Sequence, residues 1–256
     1  MLCIKLFPID FRKFLGYISI LKSGKMVAEN VEFIKNRIRE VCLRCGRKPE
    51  DVLLLGVSKT FGIDEIREAV SAGVFDIGEN YTQELKEKRS LLNDDRVRWH
   101  FIGHLQSNKV KYIADYVHLI HSVDNVRVAE EIQKRAGSLG RSLDVLIEVH
   151  TTDEATKFGV LPEKTLELIK SLAAFDHIRV RGLMTMGPFS DNPDDSRPSF
   201  RELADLAKRI EREGIGNVSM QHLSMGMSHD FEVAIEEGAT IVRIGTSIFG
   251  KRSTAA

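Results

Sequence analysis

The sequence predicts an α/β protein built as a single TIM-type (β/α)₈ barrel with an N-terminal helix. Three observations predict it: strand-like apolar runs alternate with helix-like segments, there are eight such runs, and their repeat is about 25 residues, as in known barrels. Strict alternation implies a parallel sheet with right-handed crossovers. We divide the 256 residues into an N-terminal extension at 1–25 and a barrel domain at 26–256.

The first element is a helix at Val27–Cys45. Its apolar residues recur at spacings of three and four, Gly46 is suited to end it, and Pro49 follows. Eight strands are expected after it, at Val52–Lys59, Val74–Asn80, Trp99–His104, Val117–Val123, Val145–His150, Val180–Met186, Val218–Ser224 and Thr240–Gly245. Segments between them have helical character, for example Ile63–Ala72, Ala129–Leu139, Pro162–Ala174 and Phe200–Arg212.

The alternative architecture is an open, doubly wound sheet. That fold would place a glycine-rich dinucleotide fingerprint in the turn after the first strand. The turn reads Ser58-Lys59-Thr60-Phe61-Gly62 instead. The barrel is therefore the favoured architecture.

Composition excludes several classes of function. Lys+Arg and Asp+Glu number 37 each, so nothing indicates binding to nucleic acid or to an anionic membrane. Three cysteines are too few for a disulfide scaffold and favour a cytoplasmic protein. Cys42 and Cys45 form a lone C-x-x-C at helical spacing. The sequence offers no second pair of zinc ligands and no H-x-H or carboxylate cluster, so we expect no metal. The apolar run Phe14–Leu21 is too short to span a membrane, and residues 1–25 are either an extension or the result of a misplaced start codon.

Lys59 is the first candidate for chemistry. It closes an apolar strand on the side of a barrel where active sites lie. A desolvated lysine has a lowered pKa and forms an imine with an aldehyde. The alternative is a lysine whose ammonium group extends from the strand end into solvent.

A second candidate site combines the ends of the last two strands. The loops after strands seven and eight of TIM barrels frequently hold a phosphate. Ser224, Gly226, Gly245 and Thr246 supply small residues and hydroxyls there, and Arg243 supplies a fixed positive charge. The alternative is that Gly and Ser simply form the turns that end strands.

Other polar residues follow strands two and three. These side chains could orient a ligand, or they could cap helices. They are Asn80, His104, Gln106 and Asn108.

Some polar residues are better explained by structure than by function. Asp124 or Asn125 is expected to cap the helix that follows, and His100 and His222 are expected in the interior. The stretch Gly187–Pro198 is either a lid or, as we favour, a surface turn.

Lys59 and a phosphate site across the mouth of the barrel define a ligand with an aldehyde at one end and a phosphate at the other. Pyridoxal 5′-phosphate (PLP) meets both demands. A sugar phosphate that forms a Schiff base fits less well, because aldolase lysines lie nearer the middle of the strand order.

Five segments carry a resemblance to a known family. The sequence resembles the pyridoxal phosphate homeostasis proteins, whose barrel is of the alanine racemase N-terminal type. The resemblance covers about Val27–Arg252, and its motifs are LLGVSKT at Leu54–Thr60, GENYTQEL at Gly78–Leu85, WHFIGHLQSNKVKYI at Trp99–Ile113, RGLMTMGP at Arg181–Pro188 and the long segment Leu223–Arg252.

The resemblance implies roles for individual residues. Lys59 would bear PLP, Arg243 would face the pyridine nitrogen, and Asn80 would contact the ring or its 3-hydroxyl. An arginine at that nitrogen weakens the ring as an electron sink. The residues implied around the phosphate are Ser224, Gly226, Gly245 and Thr246.

The resemblance also favours a carrier over an enzyme. It implies a protein that buffers PLP or delivers it to PLP-dependent apoenzymes. It also implies a monomer, because the second domain of alanine racemase is missing. A racemase needs a second acid or base opposite the lysine, and only Tyr81 among the tyrosines is near the predicted mouth. The alternative is a PLP-dependent racemase or decarboxylase. The segment after strand five departs from the family pattern, although Lys157 and Gly159 keep it.

Overall fold

The computed structural model describes residues 27–152, 154 and 158–251. Its strands form one closed barrel. Each strand lies beside its neighbours in sequence, and the eighth strand pairs with the first. All eight neighbouring pairs are parallel. The predicted TIM-type (β/α)₈ barrel is confirmed. The predicted extension at 1–25 and the residue Lys157 lie outside the described residues.

The eight predicted strands all occur, with ends that differ by a few residues. They are β1 Leu53–Val57, β2 Asp76–Glu79, β3 Arg98–Phe101, β4 Leu119–Val123, β5 Leu143–Glu148, β6 Ile178–Met184, β7 Val218–Met227 and β8 Ile241–Ile244.

The helices cover the outside of the barrel. They are α1 Val27–Arg44, α2 Ile63–Ser71, α3 Thr82–Leu91, α4 Val126–Ser138, α5 Pro162–Leu172, α6 Arg197–Glu211, α7 Phe231–Glu236 and α8 Thr246–Phe249. Short 3₁₀ helices lie at Pro49–Asp51, Ser107–Tyr112 and Pro193–Ser196. Within the described part of the chain, no helix is both long and apolar enough to cross a membrane.

The first helix is amphipathic as its sequence predicts. Its residues Val31, Ile34 and Val41 are fully buried against the rest of the barrel. Gly46 ends the helix with a φ of +72°, and the Arg47 N–H donates to Cys42 O at 2.8 Å. The expected end of α1 is therefore confirmed.

The core has two parts. A large shell of apolar side chains fills the space between strands and helices. A smaller cluster inside the barrel comprises Leu55, Leu119, Leu146, Met184 and Ile241. The rest of the interior includes buried polar side chains, namely Asp76, His100, His121, Ser224 and Arg243. Buried polar groups need partners, and those partners define the site.

Candidate functional site

Lys59 lies in a turn at the mouth of the barrel, two residues beyond β1. The ladder between β1 and β2 ends with Val57 opposite Gly78, and the Ser58 N–H then donates to Gly78 O at 3.1 Å. Thr60 has a φ of +69°, a left-handed conformation that is rare for a β-branched residue. Our expectation that the strand continues to Lys59 is wrong, because the left-handed residue turns the chain. Lys59 is half-buried as a result.

The buried side chain of Lys88 hydrogen-bonds to the backbone of this turn. Lys88 donates to Ser58 O at 2.8 Å, to Glu79 Oε1 at 2.7 Å and to Glu84 Oε2 at 2.9 Å. The same Glu84 oxygen accepts the Thr60 N–H at 2.9 Å, and Ser58 Oγ donates to Glu79 at 2.6 Å. Burial raises the pKa of the Glu79 carboxyl, against the effects of Lys88 and Ser58. The backbone on both sides of Lys59 is thus fixed by charged groups.

Arg243 lies inside the barrel on β8, next to β1. It pairs with Leu55 in the β1–β8 ladder and is 4% exposed. Its guanidinium donates to Ser224 O at 2.7 Å, Ser224 Oγ at 2.9 Å and Thr185 O at 2.9 Å. Burial lowers the pKa of Arg243 to about 10, so the group stays charged at neutral pH. Of its five N–H bonds, two have no partner among the described residues.

Ser224 faces the interior and not the loop. Its hydroxyl oxygen lies 2.9 Å from His121 Nδ1 and accepts from Arg243. The Ser224 hydroxyl therefore already has two partners in the interior. A contact between Ser224 and a phosphate stays a prediction. The sequence places His121 at the end of the fourth strand but does not reveal its bonds to Ser224 and His100, because a histidine in a strand carries no signal of its partners.

The loops after β7 and β8 meet as predicted for a phosphate site. Ser228 Oγ accepts the Ser247 N–H at 3.2 Å, which ties one loop to the other. Gly245 ends β8 and precedes Thr246, the first residue of α8. Gly226 has a φ of +87°, and a Cβ there would lie 2.5 Å from the Cβ of Ala234. The lack of a side chain at Gly226 is therefore explained by packing against α7.

Buried polar atoms without partners cluster near the ends of β2 and β5. Across the described residues there are six such side-chain atoms. Four of them follow or end these two strands: Glu79 Oε2, Asn80 Oδ1, His150 Nε2 and Thr152 Oγ1. Because an unpaired buried polar atom is costly, this distribution indicates that the mouth is built to receive a polar ligand.

A buried carboxylate at the mouth lies within electrostatic reach of Arg243. Glu148 ends β5 and is 4% exposed. Burial, together with the charge of Asp124, raises the pKa of Glu148 to about 7, while Arg243 opposes the shift.

Asn125, and not Asp124, caps α4, since its Oδ1 accepts the Val128 N–H at 3.0 Å. The predicted cap is confirmed.

The remaining candidates after β3 do not converge on Lys59 or Arg243. The ring of His104 stacks on Phe158, with centroids 3.9 Å apart, and Gln106 and Asn108 are exposed at the 3₁₀ helix that follows. No group of three or more His, Cys, Asp or Glu in the part of the chain that the structure describes could hold a metal.

The arrangement suits a ligand that joins an aldehyde to an anion. A primary amine follows β1, a charged guanidinium lies on the adjacent strand β8, and two small-residue loops meet beyond them. The unpaired Asn80 oxygen and the two spare Arg243 N–H bonds are further polar contacts for such a ligand. These residues fit PLP.

The comparisons with known proteins agree with this geometry. The alanine racemase N-terminal domain family matches residues 30–253. The pyridoxal phosphate homeostasis protein of Aquifex aeolicus is 50% identical over 224 residues, which cover 88% of this chain and 97% of that one.

Solved structures share the fold. A protein of Bifidobacterium adolescentis, described as unknown, has a TM-score of 0.83 and 35% identity, covering 87% of this chain and 94% of its own. PipY of Synechococcus elongatus, in a structure with PLP bound, has a TM-score of 0.74 and 33% identity, covering 85% of this chain and 100% of PipY.

Proposed function

The chain belongs to the alanine racemase N-terminal domain family and, within it, to the pyridoxal phosphate homeostasis proteins, and we propose on this premise that it carries PLP as a Schiff base on Lys59. It acts in intracellular PLP homeostasis, by binding the cofactor and releasing it. The observation that carries the proposal is the half-buried Lys59 amine in a turn fixed by Lys88 and Glu84, one strand away from Arg243.

Each part of the cofactor has a proposed partner. Arg243 faces the pyridine nitrogen and Asn80 contacts the ring or its 3-hydroxyl. The backbone of the two linked loops holds the phosphate, and the residues proposed there are Gly226, Gly245 and Thr246, with Ser224 acting on Arg243. When bound, PLP supplies an aldehyde that condenses with amines and a ring that withdraws electrons.

Binding and release suit these residues better than turnover does. Arg243 remains charged, so it donates to the ring nitrogen without protonating it and keeps the ring a weak electron sink. Lys59 is half-exposed, which lets incoming amines reach it. Of the runner-up functions, a PLP-dependent decarboxylase would need strong electron withdrawal, and a racemase would need a second acid or base opposite Lys59.

Partners and surroundings are part of the proposal. We infer a cytoplasmic monomer, in which residues 26–256 form the PLP-binding domain, that passes PLP to PLP-dependent apoenzymes. The low cysteine count supports the compartment.

Absorbance tests the site. Purified protein with PLP should show a band near the visible edge, and borohydride followed by peptide mapping should place the adduct on Lys59. Lys59→Ala should lose both signals. The control is Lys109→Ala, which removes an exposed lysine on the same side of the barrel and should leave them unchanged. An adduct on another lysine would refute the site.

Exchange of the amino-acid α-proton in deuterated water separates carrier from enzyme. A carrier should exchange the protons of common amino acids no faster than free PLP does. Catalytic exchange that depends on Lys59 would favour the racemase or decarboxylase.

A further inference from the structure

A chain of hydrogen bonds crosses the barrel interior beneath Arg243. Asp76 Oδ1 lies 3.0 Å from His100 Nε2, His100 Nδ1 lies 2.9 Å from His121 Nε2, and His121 Nδ1 lies 2.9 Å from Ser224 Oγ. Ser224 Oγ accepts from Arg243 at 2.9 Å. These five side chains come from five different strands, and each is at most 4% exposed.

The hydrogen bonds of this series can be donated in one direction only. Hydrogen bonds from His100 and Arg98 outweigh burial and lower the pKa of Asp76 to about 2, so its carboxylate only accepts. His100 Nε2 must then donate. Burial lowers the pKa of both histidines, so each ring carries one proton. His100 Nδ1 therefore accepts from His121 Nε2, and His121 Nδ1 accepts from the Ser224 hydroxyl.

The far end of the chain agrees with this direction. A guanidinium N–H only donates, so Ser224 must present a lone pair to Arg243. Its single hydrogen is then free for His121. The direction imposed by the anion at Asp76 is therefore compatible with the contact that Arg243 makes, which leaves the Ser224 hydrogen available to His121.

We propose that Asp76, His100 and His121 are positioning residues for Arg243, acting through a one-directional hydrogen-bond chain that commits the Ser224 hydroxyl hydrogen to His121. The Ser224 lone pair and the carbonyls of Ser224 and Thr185 then hold the guanidinium in one orientation. Its two remaining N–H bonds are left for a ligand. The part of this inference that concerns PLP rests on the proposed function.

Several charged and titratable groups face the two histidines from neighbouring strands. Arg98 pairs with Asp76, and His118 lies with its ring centroid 5.4 Å from that of His100. His222 and Arg243 act on His121 electrostatically. The cations Arg98 and Arg243 disfavour a second proton on the rings of the chain, while Asp76 favours one on His100 and is outweighed by burial.

The chain also links the two ends of the barrel. Asp76 and Arg98 line a depression on the face opposite the mouth, together with His222. A change at that face thus reaches Arg243 through defined hydrogen bonds, without any residue of the mouth being altered.

Nitrogen-15 NMR of histidine-labelled protein without PLP tests the direction. Both His100 and His121 should show a protonated Nε2 and a bare Nδ1, unchanged between pH 7 and pH 9. A proton on Nδ1 of His121 would overturn the proposal. This measurement needs neither a variant nor the cofactor, so it stands even if PLP binds elsewhere.

The variant pair Asp76→Asn and Asp144→Asn tests the positioning role. Asp144 is a matched control, because it also lies near the start of a strand and pairs with Arg179 and Arg181. Asp76→Asn removes the charge that orients the chain, so His121 should lose its single tautomer. PLP affinity should fall about tenfold, as for other residues that orient a ligand's direct contacts.

The ring nitrogen of nitrogen-15 labelled PLP supplies the final readout. Its chemical shift should move in Asp76→Asn and stay at the wild-type value in Asp144→Asn. Equal behaviour of the two variants would show that Asp76 has only a structural role and would overturn the proposal. Failure of wild-type protein to form the Lys59 adduct would instead refute the proposed function.

Discussion

Glu148 is a buried acid at the mouth that the proposed binding role does not use. Its carboxyl is nearly inaccessible, has no hydrogen-bond partner among the described side chains and lies within the electrostatic reach of Asp124 and Arg243. Burial is the main reason that its pKa rises from 4.5 to about 7. The folded protein therefore prefers the neutral acid.

We predict that Glu148→Gln stabilises the protein in a pH-dependent way. Below pH 4.5 the acid is neutral in both folded and unfolded states, so the substitution changes little. As the pH rises through 7, the wild-type protein loses stability, because its folded state resists ionisation. The difference between the two pKa values corresponds to about 3 kcal/mol above pH 8.

Denaturant unfolding of PLP-free protein at pH 5 and pH 8 checks this. The gain in the free energy of unfolding should be larger at pH 8. Glu163→Gln, at an exposed position on α5, is the control and should show no such trend. A pH-independent gain in Glu148→Gln would contradict the raised pKa.

At the scale of elements, the end of β7 packs closely against α7 at one glycine. Gly226 combines a left-handed φ of +87° with close approach to the helix, since a Cβ would lie 2.9 Å from Phe231 Cα. Gly214 has a φ of +61° with nothing within 4 Å of a Cβ. Substitution of the two glycines by alanine therefore separates two contributions to the free energy of unfolding, the left-handed backbone conformation and the steric overlap of the added Cβ.

We predict that Gly226→Ala destabilises the protein by more than Gly214→Ala does. Gly214→Ala should cost about 1 kcal/mol, the penalty for a side chain in a left-handed conformation. Gly226→Ala should cost a further 1–3 kcal/mol, roughly the effect of overpacking. Urea unfolding measures both, and equal losses would show that α7 moves aside freely.

Much of the element order was predictable from the sequence because parallel strands are buried on both faces. Apolar runs such as Leu53–Val57 are therefore visible without any knowledge of partners. Strand ends were less predictable. Lys59 follows an apolar run, yet the left-handed Thr60 and its bond to Glu84 end β1 at Val57.

The site was predictable only where chemistry lies at strand ends. Lys59 and Arg243 could be proposed from their positions in the strand order. The bonds of His121 to His100 and Ser224 could not, since they join residues up to 103 positions apart through the register of a closed barrel. The bond between Lys88 and Glu79 could not be predicted either, because the alternation of elements predicts a helix between β2 and β3 without fixing which of its residues contacts Glu79.

For the molecule as a whole, the seam between β1 and β8 closes the barrel. Leu53 pairs with Ile241 and Gly56 with Ile244, so the two ends of the described chain must meet. Helix α1 covers the C-terminal helices beside this seam. Arg37 makes a two-pronged ion pair with Glu232, Asn30 donates to Ile248 O at 2.9 Å, and Arg47 donates to Ile235 O and Ala239 O.

The proposed ligand would bridge this seam, because Lys59 follows β1 and Arg243 lies on β8. A ligand that binds only the closed barrel slows every opening that releases it. At a PLP concentration 100 times the dissociation constant, the slowing is about 100-fold, which corresponds to roughly 2.7 kcal/mol. Openings elsewhere, which leave the ligand bound, keep their rates.

We therefore predict that PLP slows native-state hydrogen exchange in β1 and β8 far more than in the helix α5 on the outside of the barrel. Mass-spectrometric exchange with and without PLP measures this, segment by segment. Lys59→Ala should abolish the protection of both strands, because it removes the attachment on the β1 side while Arg243 remains. Exchange in β1 and β8 could instead stay unchanged in a protein whose Lys59 carries the adduct. That result would show that the cofactor contacts only the β1 side and does not stabilise the pairing of β1 with β8.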